Sequence, residues 1–276
     1  CNAGGTMTTA TNNVAMGRAS MGNTTTGSEN TALGALSLQT NSEGANNVAV
    51  GFCALKSNTT ADNNTAIGCG SLGVNTTGCQ NTGLGRNSLQ DNTTGCRNVS
   101  LGLDSLSNNT TGECNTGVGF DAGSTITTGS NLTVLGSGAQ PSSATATNEI
   151  TLGNSSVTSL RCADTSISSL SDLRDKKNVE DIPHGLDFIN ALRPVKFDWN
   201  ARDGSRIGKK DYGFIAQELD KVEETFGNRE YTRLVHKDNP DKWEADPMKT
   251  YPILIKAIQE LSETNKDLKS RIEALE

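Results

Sequence analysis

Asn81-Thr82-Gly83-Leu84-Gly85-Arg86-Asn87-Ser88-Leu89-Gln90-Asp91-Asn92-Thr93-Thr94-Gly95-Cys96-Arg97 is one unit of a repeat, and its length sets the fold. Gly17, Gly34, Gly51, Gly68, Gly85, Gly102, Gly119, Gly136 and Gly153 follow one another at steps of 17. An apolar residue precedes each: Met16, Leu33, Val50, Ile67, Leu84, Leu101, Val118, Leu135 and Leu152. Two places earlier stand Val14, Thr31, Val48, Thr65, Thr82, Val99 and Thr116, preceded in turn by Asn13, Asn30, Asn47, Asn64, Asn81, Asn98 and Asn115. A second apolar row runs through Met21, Leu38, Leu55, Leu72, Leu89 and Leu106. The spacing of two within Val48–Val50 or Thr65–Ile67 is strand alternation. The Asn- and Gly-rich gaps are turns, where those residues accept positive φ.

Short strands separated by turns at one fixed length predict an all-β repeat, a β-solenoid or β-roll, with an interwound triple β-helix as the alternative. Each rung is expected to stack its Val and Leu on the next, while same-register Asn and Thr form ladders. One repeat per rung gives eight steps from Gly17 to Gly153, about 38 Å of stack at the strand spacing. The core of each rung is thin, so packing of several copies side by side is expected.

Composition agrees with a stacked repeat and not with an ordinary globular core. Residues 1–165 hold only Phe52 and Phe120 as aromatics, and only Arg18, Lys56, Arg86, Arg97 and Arg161 as strong cations. The formal net charge of −7 is spread out. Without a basic stripe, nucleic-acid and anionic-membrane partners are not expected. Without an apolar run of membrane length, no membrane span is expected. The chain opens at Cys1 inside a repeat and reads as a piece of something longer. The 7 cysteines all precede Ser171 and form no Cys-x-x-Cys pair, so no metal site or other cofactor is expected. They are read as unpaired, with Cys79 and Cys96 sharing one register. The sequons at Asn58, Asn75, Asn92 and Asn109 follow from the repeat composition. Asp104 and Asp121 share a register at a spacing suited to a retaining glycosidase, but they read as solvated turn residues.

The chain changes character at Ser171-Asp172-Leu173-Arg174-Asp175-Lys176. Residues 166–170 read as a linker between the repeat and a charged, aromatic-containing α+β domain over 171–250. Pro183 to Leu192 has a helical apolar face. Val195 to Trp199 reads as a strand, Tyr212 to Ile215 as a strand entering a helix, and Tyr231 to His236 as a further strand. Over 251–276 a helix carries Leu254, Ile258, Leu261, Asn265, Leu268, Ile272 and Leu275 at alternating steps of four and three, a coiled-coil seam. Ile at a with Leu at d favours dimers by rule.

Several stretches occur in order: Ser171 to Val179, Leu186-Asp187-Phe188-Ile189-Asn190-Ala191-Leu192-Arg193-Pro194-Val195-Lys196-Phe197-Asp198-Trp199, Tyr212-Gly213-Phe214-Ile215-Ala216-Gln217-Glu218-Leu219, and Tyr251 to Leu261. As a set they resemble the intramolecular chaperone auto-processing domain of phage tailspikes, tail fibres and neck appendages, the endosialidase-type chaperone. The upstream repeat resembles the head repeats of trimeric autotransporter adhesins, with a unit three residues longer than the usual one.

The chaperone resemblance implies a homotrimer in which the C-terminal domain helps the upstream fibre to fold and is then released. It implies Ser171 as nucleophile, Lys176 as general base and Leu170–Ser171 as the bond cut. Asp172 and Arg174 are candidate supports. The enzyme so implied is a single-turnover self-cleaving serine endopeptidase without external substrates. The expected product is a viral or phage fibre assembled in the host cytoplasm and carried on the virion, attaching to a host-surface receptor, with glycans among the candidates. The alternatives are a bacterial trimeric surface adhesin and a glycan-degrading fibre. A serine hydroxyl needs an adjacent base, and a lysine serves only when neutral. Arg174 is read either as a cation that favours neutral Lys176 or as the ion-pair partner of Asp172 or Asp175. His184 and His236 are read as structural or surface residues.

Overall fold

The computed structural model describes residues 3–161, 171–202, 204, 206–227, 229–241 and 243–275. Leu170 and the rest of the 166–170 linker lie outside the described residues, as do Cys1 and Cys162. The chain divides into two compact units, Cys1–Thr158 and Ser159–Glu276.

The first unit is a β-solenoid of about 8 turns. Its strands are β1 (Val14–Met16), β2 (Thr31–Leu33), β3 (Val48–Val50), β4 (Thr65–Ile67), β5 (Thr82–Leu84), β6 (Val99–Leu101), β7 (Thr116–Val118), β8 (Thr133–Leu135) and β9 (Ile150–Leu152). They form one 9-stranded sheet in sequence order. Each pairs in parallel with the next, as Thr82 does with Val99 and Leu84 with Leu101. One chain supplies every neighbouring strand, so the repeat winds as a solenoid and not as three interwound chains.

The core takes one residue from each strand and one from the second apolar row. A three-residue strand turns only its middle residue to one face. Here that residue is the small one: Ala32, Ala49 and Ala66 are fully buried, and Gly83, Ser100 and Gly117 take the same place. The interior is too narrow for more. A Cβ on Gly83 would meet Ser71 Oγ at 2.6 Å, and one on Gly117 would meet Leu106 Cγ at 2.8 Å. Opposite these small residues Met21, Leu38, Leu55, Leu72, Leu89 and Leu106 fill the core at 0% exposure. The flanking strand residues face out: Val14, Met16, Ile67, Leu84, Val99, Leu135, Ile150 and Leu152 are all exposed. The sheet therefore presents one apolar column along its whole length, from Met16 to Leu152, beside a mixed column in which Thr31, Thr65, Thr82, Thr116 and Thr133 stand among apolar residues.

Two asparagine ladders hold the turns. In the first, the Oδ1 of each asparagine accepts the backbone N–H of its equivalent one rung on, as Asn64 does from Asn81 at 2.9 Å. Its Nδ2 donates across the rung, from Asn64 to the Gly78 carbonyl at 2.9 Å. In the second, Asn58, Asn75, Asn92 and Asn109 link side chain to side chain at 2.8–2.9 Å. These asparagines are fully buried. Burial of an amide is tolerable because its donors and acceptors are satisfied at each step. The glycine at the end of each strand is obligatory for two reasons. Gly51 has φ +135°, and a Cβ there would lie 2.6 Å from the Gly68 carbonyl oxygen of the next rung.

The second unit begins with a 3-10 turn at Leu173–Asp175, followed by α1 (Leu186–Ala191). A hairpin of β10 (Val195–Asp198) and β11 (Lys210–Gly213) leads to α2 (Ala216–Phe226), which stops at Gly227 in the left-handed region, φ 67°. The stretch expected as one strand from Tyr231 to His236 is instead divided between α3 (Arg229–Thr232) and β12 (Val235–His236), the latter pairing with β13 (Glu244–Ala245). The buried Glu223 of α2 explains the break. It accepts the Thr232 hydroxyl at 2.5 Å and the Leu234 N–H at 2.6 Å, pulling that segment off the strand line. The C-terminal helix α4 (Tyr251–Glu273) follows a 3-10 turn at Pro247–Thr250.

Phe188, Leu219, Leu234, Val235 and Ile253 form the core of this unit. Glu260 of α4 accepts the Leu186 N–H at 2.7 Å, supplying the N-terminal cap that α1 lacks locally. Helix α4 thus buries Ile253 and Ala257, while Leu254, Ile258, Leu261, Leu268, Ile272 and Leu275 of the heptad seam stay exposed.

Candidate functional site

The residues singled out at Ser171 lie on one turn. Asp172 starts it as an N-cap, its carboxylate accepting the Arg174 N–H at 2.9 Å. The 3-10 turn closes with the Lys176 N–H donating to the Leu173 carbonyl at 3.1 Å. That reversal carries the Lys176 side chain back over five residues. Its Nζ lies 2.8 Å from Ser171 Oγ, at hydrogen-bond distance. Residues 171–180 are exposed in the single chain.

Arg174 takes the second of the two roles open to it. Its guanidinium grips Asp172 through Nε at 3.1 Å to both carboxylate oxygens and through its terminal nitrogen at 2.6 Å. The guanidinium, and after it the Arg174 N–H, hold the Asp172 carboxyl below the ordinary 3.8. The same pairing raises Arg174. Asp172 and Arg174 therefore build the turn that presents Ser171 and Lys176 to each other. The fourth part of the expected site, the Leu170–Ser171 bond, reaches outside the described residues at Leu170.

The other candidates lie elsewhere. Asp104 and Asp121 sit on neighbouring rungs with φ 56° at each, and Asp104 Oδ1 is taken by Asn87 Nδ2 at 2.9 Å. His184 lies 3.1 Å from Asp187 and packs edge-on against Phe226, and His236 stands on β12. Among the described residues no group of three or more His, Cys, Asp or Glu is placed to hold a metal ion. No described helix is long and apolar enough to cross a membrane.

A charge cluster around the buried Asp220 escaped the sequence reading. Asp220 of α2 pairs with both Arg229 and Lys237, and Lys237 also lies over the Trp243 ring at 4.5 Å. These residues tie α2, α3 and the β12–β13 hairpin together. No spacing in the sequence announces them.

Residues 171–228 match the family described as chaperone of endosialidase. A β-solenoid followed by that match fits a tail-fibre-like protein with a C-terminal chaperone domain. No match was found among curated proteins or among solved structures.

Proposed function

We propose that this chain is a homotrimeric fibre subunit whose C-terminal domain drives assembly and then leaves by cutting the Leu170–Ser171 bond. The observation that carries the reading is the contact of Lys176 Nζ with Ser171 Oγ at 2.8 Å, at the residue where the chaperone match begins.

In this mechanism Lys176 removes the Oγ proton as Ser171 Oγ attacks the Leu170 carbonyl carbon. The proton passes to the departing Ser171 nitrogen, leaving an ester between Leu170 and Oγ. Water then hydrolyses the ester, freeing the Leu170 carboxylate and restoring the hydroxyl. Nucleophile and carbonyl share one chain, so proximity replaces a bimolecular encounter. Activation has to come from outside the single chain. A lysine is a base only when neutral, water favours its charged form, and both side chains are exposed here. Burial between assembled chains supplies the missing desolvation, which delays cutting until the chains have met.

Two exposed apolar surfaces support association of identical copies. One is the outward apolar column on the solenoid sheet, including Ile67, Leu84 and Leu135; the other is the α4 seam. Repeats make mis-registration cheap, and a domain that associates first aligns the chains at high effective concentration. Its removal leaves the fibre held by its unfolding barrier. On this reading the mature fibre belongs to a virion and meets a host-surface receptor.

The test compares wild type, Ser171→Ala and Lys176→Ala on a denaturing gel after assembly. Wild type is expected to give two fragments and both variants one intact chain. An intact wild-type chain in a folded trimer refutes self-cleavage.

A further inference from the structure

Cys79 and Cys96 occupy one register on neighbouring rungs, at the corner before β5 and the corner before β6. Their sulfurs are 2.9 Å apart. Both are free thiols and half-buried, so small reagents reach them. Same-register residues of adjacent rungs are about 4.8 Å apart along the stack, inside the roughly 4.4–6.8 Å Cα separation that a disulfide spans. The other described cysteines, Cys53, Cys69 and Cys114, stand in other registers of the repeat.

The column explains why a sulfur sits here without disturbing the fold. At this position a side chain accepts the backbone N–H of the rung before it. Ser28 does so from Thr11 at 3.0 Å, Asp62 from Ala45 at 2.7 Å, and Ser130 from Glu113 at 3.0 Å. Cys96 does so from Cys79 at 3.0 Å. Arg97 stands next in the chain, its Nε 3.3 Å from Cys114 Sγ and its terminal nitrogen paired with Glu113, the next residue of the column, at 2.5 Å.

We infer that Cys79 and Cys96 are an oxidative cross-linking site, in which a small-molecule disulfide joins them into a covalent clamp between neighbouring rungs. The Cys96 thiolate attacks one sulfur of the small disulfide, forming a mixed disulfide and releasing one thiolate. That thiolate takes the proton of Cys79. The Cys79 thiolate then attacks Cys96 Sγ, expelling the second small thiolate, which takes up the proton that Cys96 gave up. Two protein thiols are oxidised by two electrons, and one small disulfide is reduced to two thiols. The thiol of Cys79 is held above its usual value, first by its hydrogen bond to Cys96 and then by burial.

The clamp fixes what a repeat leaves loose. Slippage by one whole unit would place β5 against β7 in place of β6 and still satisfy most ladder hydrogen bonds. A bond between Cys79 and Cys96 permits only the native neighbour. It also closes a loop one repeat long, which restricts the unfolded chain.

The test treats the folded full chain with oxidised glutathione, then blocks remaining thiols and maps the peptides by mass. The expected result is a Cys79–Cys96 cross-link, loss of two free thiols and slower unfolding in denaturant, all reversed by a reducing agent. Cys79→Ser and Cys96→Ser keep the fold, because serine serves in this column at Ser28 and Ser130, and each abolishes the reversible gain. Oxidised folded chains with Cys79 and Cys96 still free overturn the inference. So does Cys96 joined to Cys114 or to another chain, or a clamped chain that unfolds as fast as the reduced one.

Discussion

Replacing Asn75 with alanine tests whether the buried ladder holds the solenoid. Asn75 is fully buried. Its Nδ2 donates to Asn58 Oδ1 and to the Gly78 carbonyl, each at 2.9 Å, and its Oδ1 accepts from Asn92 Nδ2 at 2.8 Å. Truncation removes all three bonds. The Gly78 carbonyl keeps Asn64 as a donor, and Asn92 keeps the Gly95 carbonyl as an acceptor, so these two losses cost about 1 kcal/mol each. Asn58 Oδ1 loses its donor inside the core, which costs about 1–3 kcal/mol. The sum is about 3–5 kcal/mol. With a urea dependence of about 1–3 kcal/mol per molar, the midpoint falls by more than about 1 M. Asn75→Asp preserves the shape but aims an oxygen at Asn58 Oδ1 and the Gly78 carbonyl, so it is expected to be worse than alanine. The assay is urea unfolding of the full chain by circular dichroism, with exposed Thr77→Ala as the reference, expected within about 0.5 kcal/mol of wild type. If Asn75→Ala and Thr77→Ala share a midpoint, the ladder does not hold this corner and the reasoning fails.

Gly51→Ala combines a φ of +135° with a Cβ 2.6 Å from the Gly68 carbonyl. It is expected to cost about 3 kcal/mol or more, read as a lowered urea midpoint. Leu84→Lys with Leu101→Lys charges the outward apolar column without touching the core. Light scattering is expected to show folded chains that no longer associate through the solenoid, and unchanged trimers would remove that face from the interface. Asp172 is held below 3.8 by Arg174. Its contribution to the turn is therefore complete above the ordinary carboxylate range and is lost as pH falls through the lowered value. A carboxyl NMR titration should place its midpoint below 3.8, and Arg174→Ala should move it up.

The winding of the repeat was legible because its glycines and asparagines answer to local geometry. Gly51 needs positive φ, and Asn64 needs both a neighbour's N–H and a carbonyl across its own rung. Which strand residues enter the core was not legible, because Val48 and Val50 look like core by hydropathy alone. The better signal was the small middle residue of β2 to β7, such as Ala49 or Gly83, which a narrow interior demands; at β8 Val134 takes that place. At the candidate site the Ser171–Lys176 pair was suggested by resemblance, and the turn that joins them follows from Asp172 as N-cap. The choice between the two roles of Arg174 was not legible, since Asp172, Asp175 and Lys176 all lie within two residues of it. Nor was the split of Tyr231–His236, which depends on Glu223 reaching across from α2.

The most direct measurement is the intact mass of the purified, assembled protein, with the N-terminus of each species read. Self-release predicts a fragment that begins at Ser171 with a free amino group, and its absence from Ser171→Ala. A folded trimer in which every chain retains the Leu170–Ser171 bond would contradict the account.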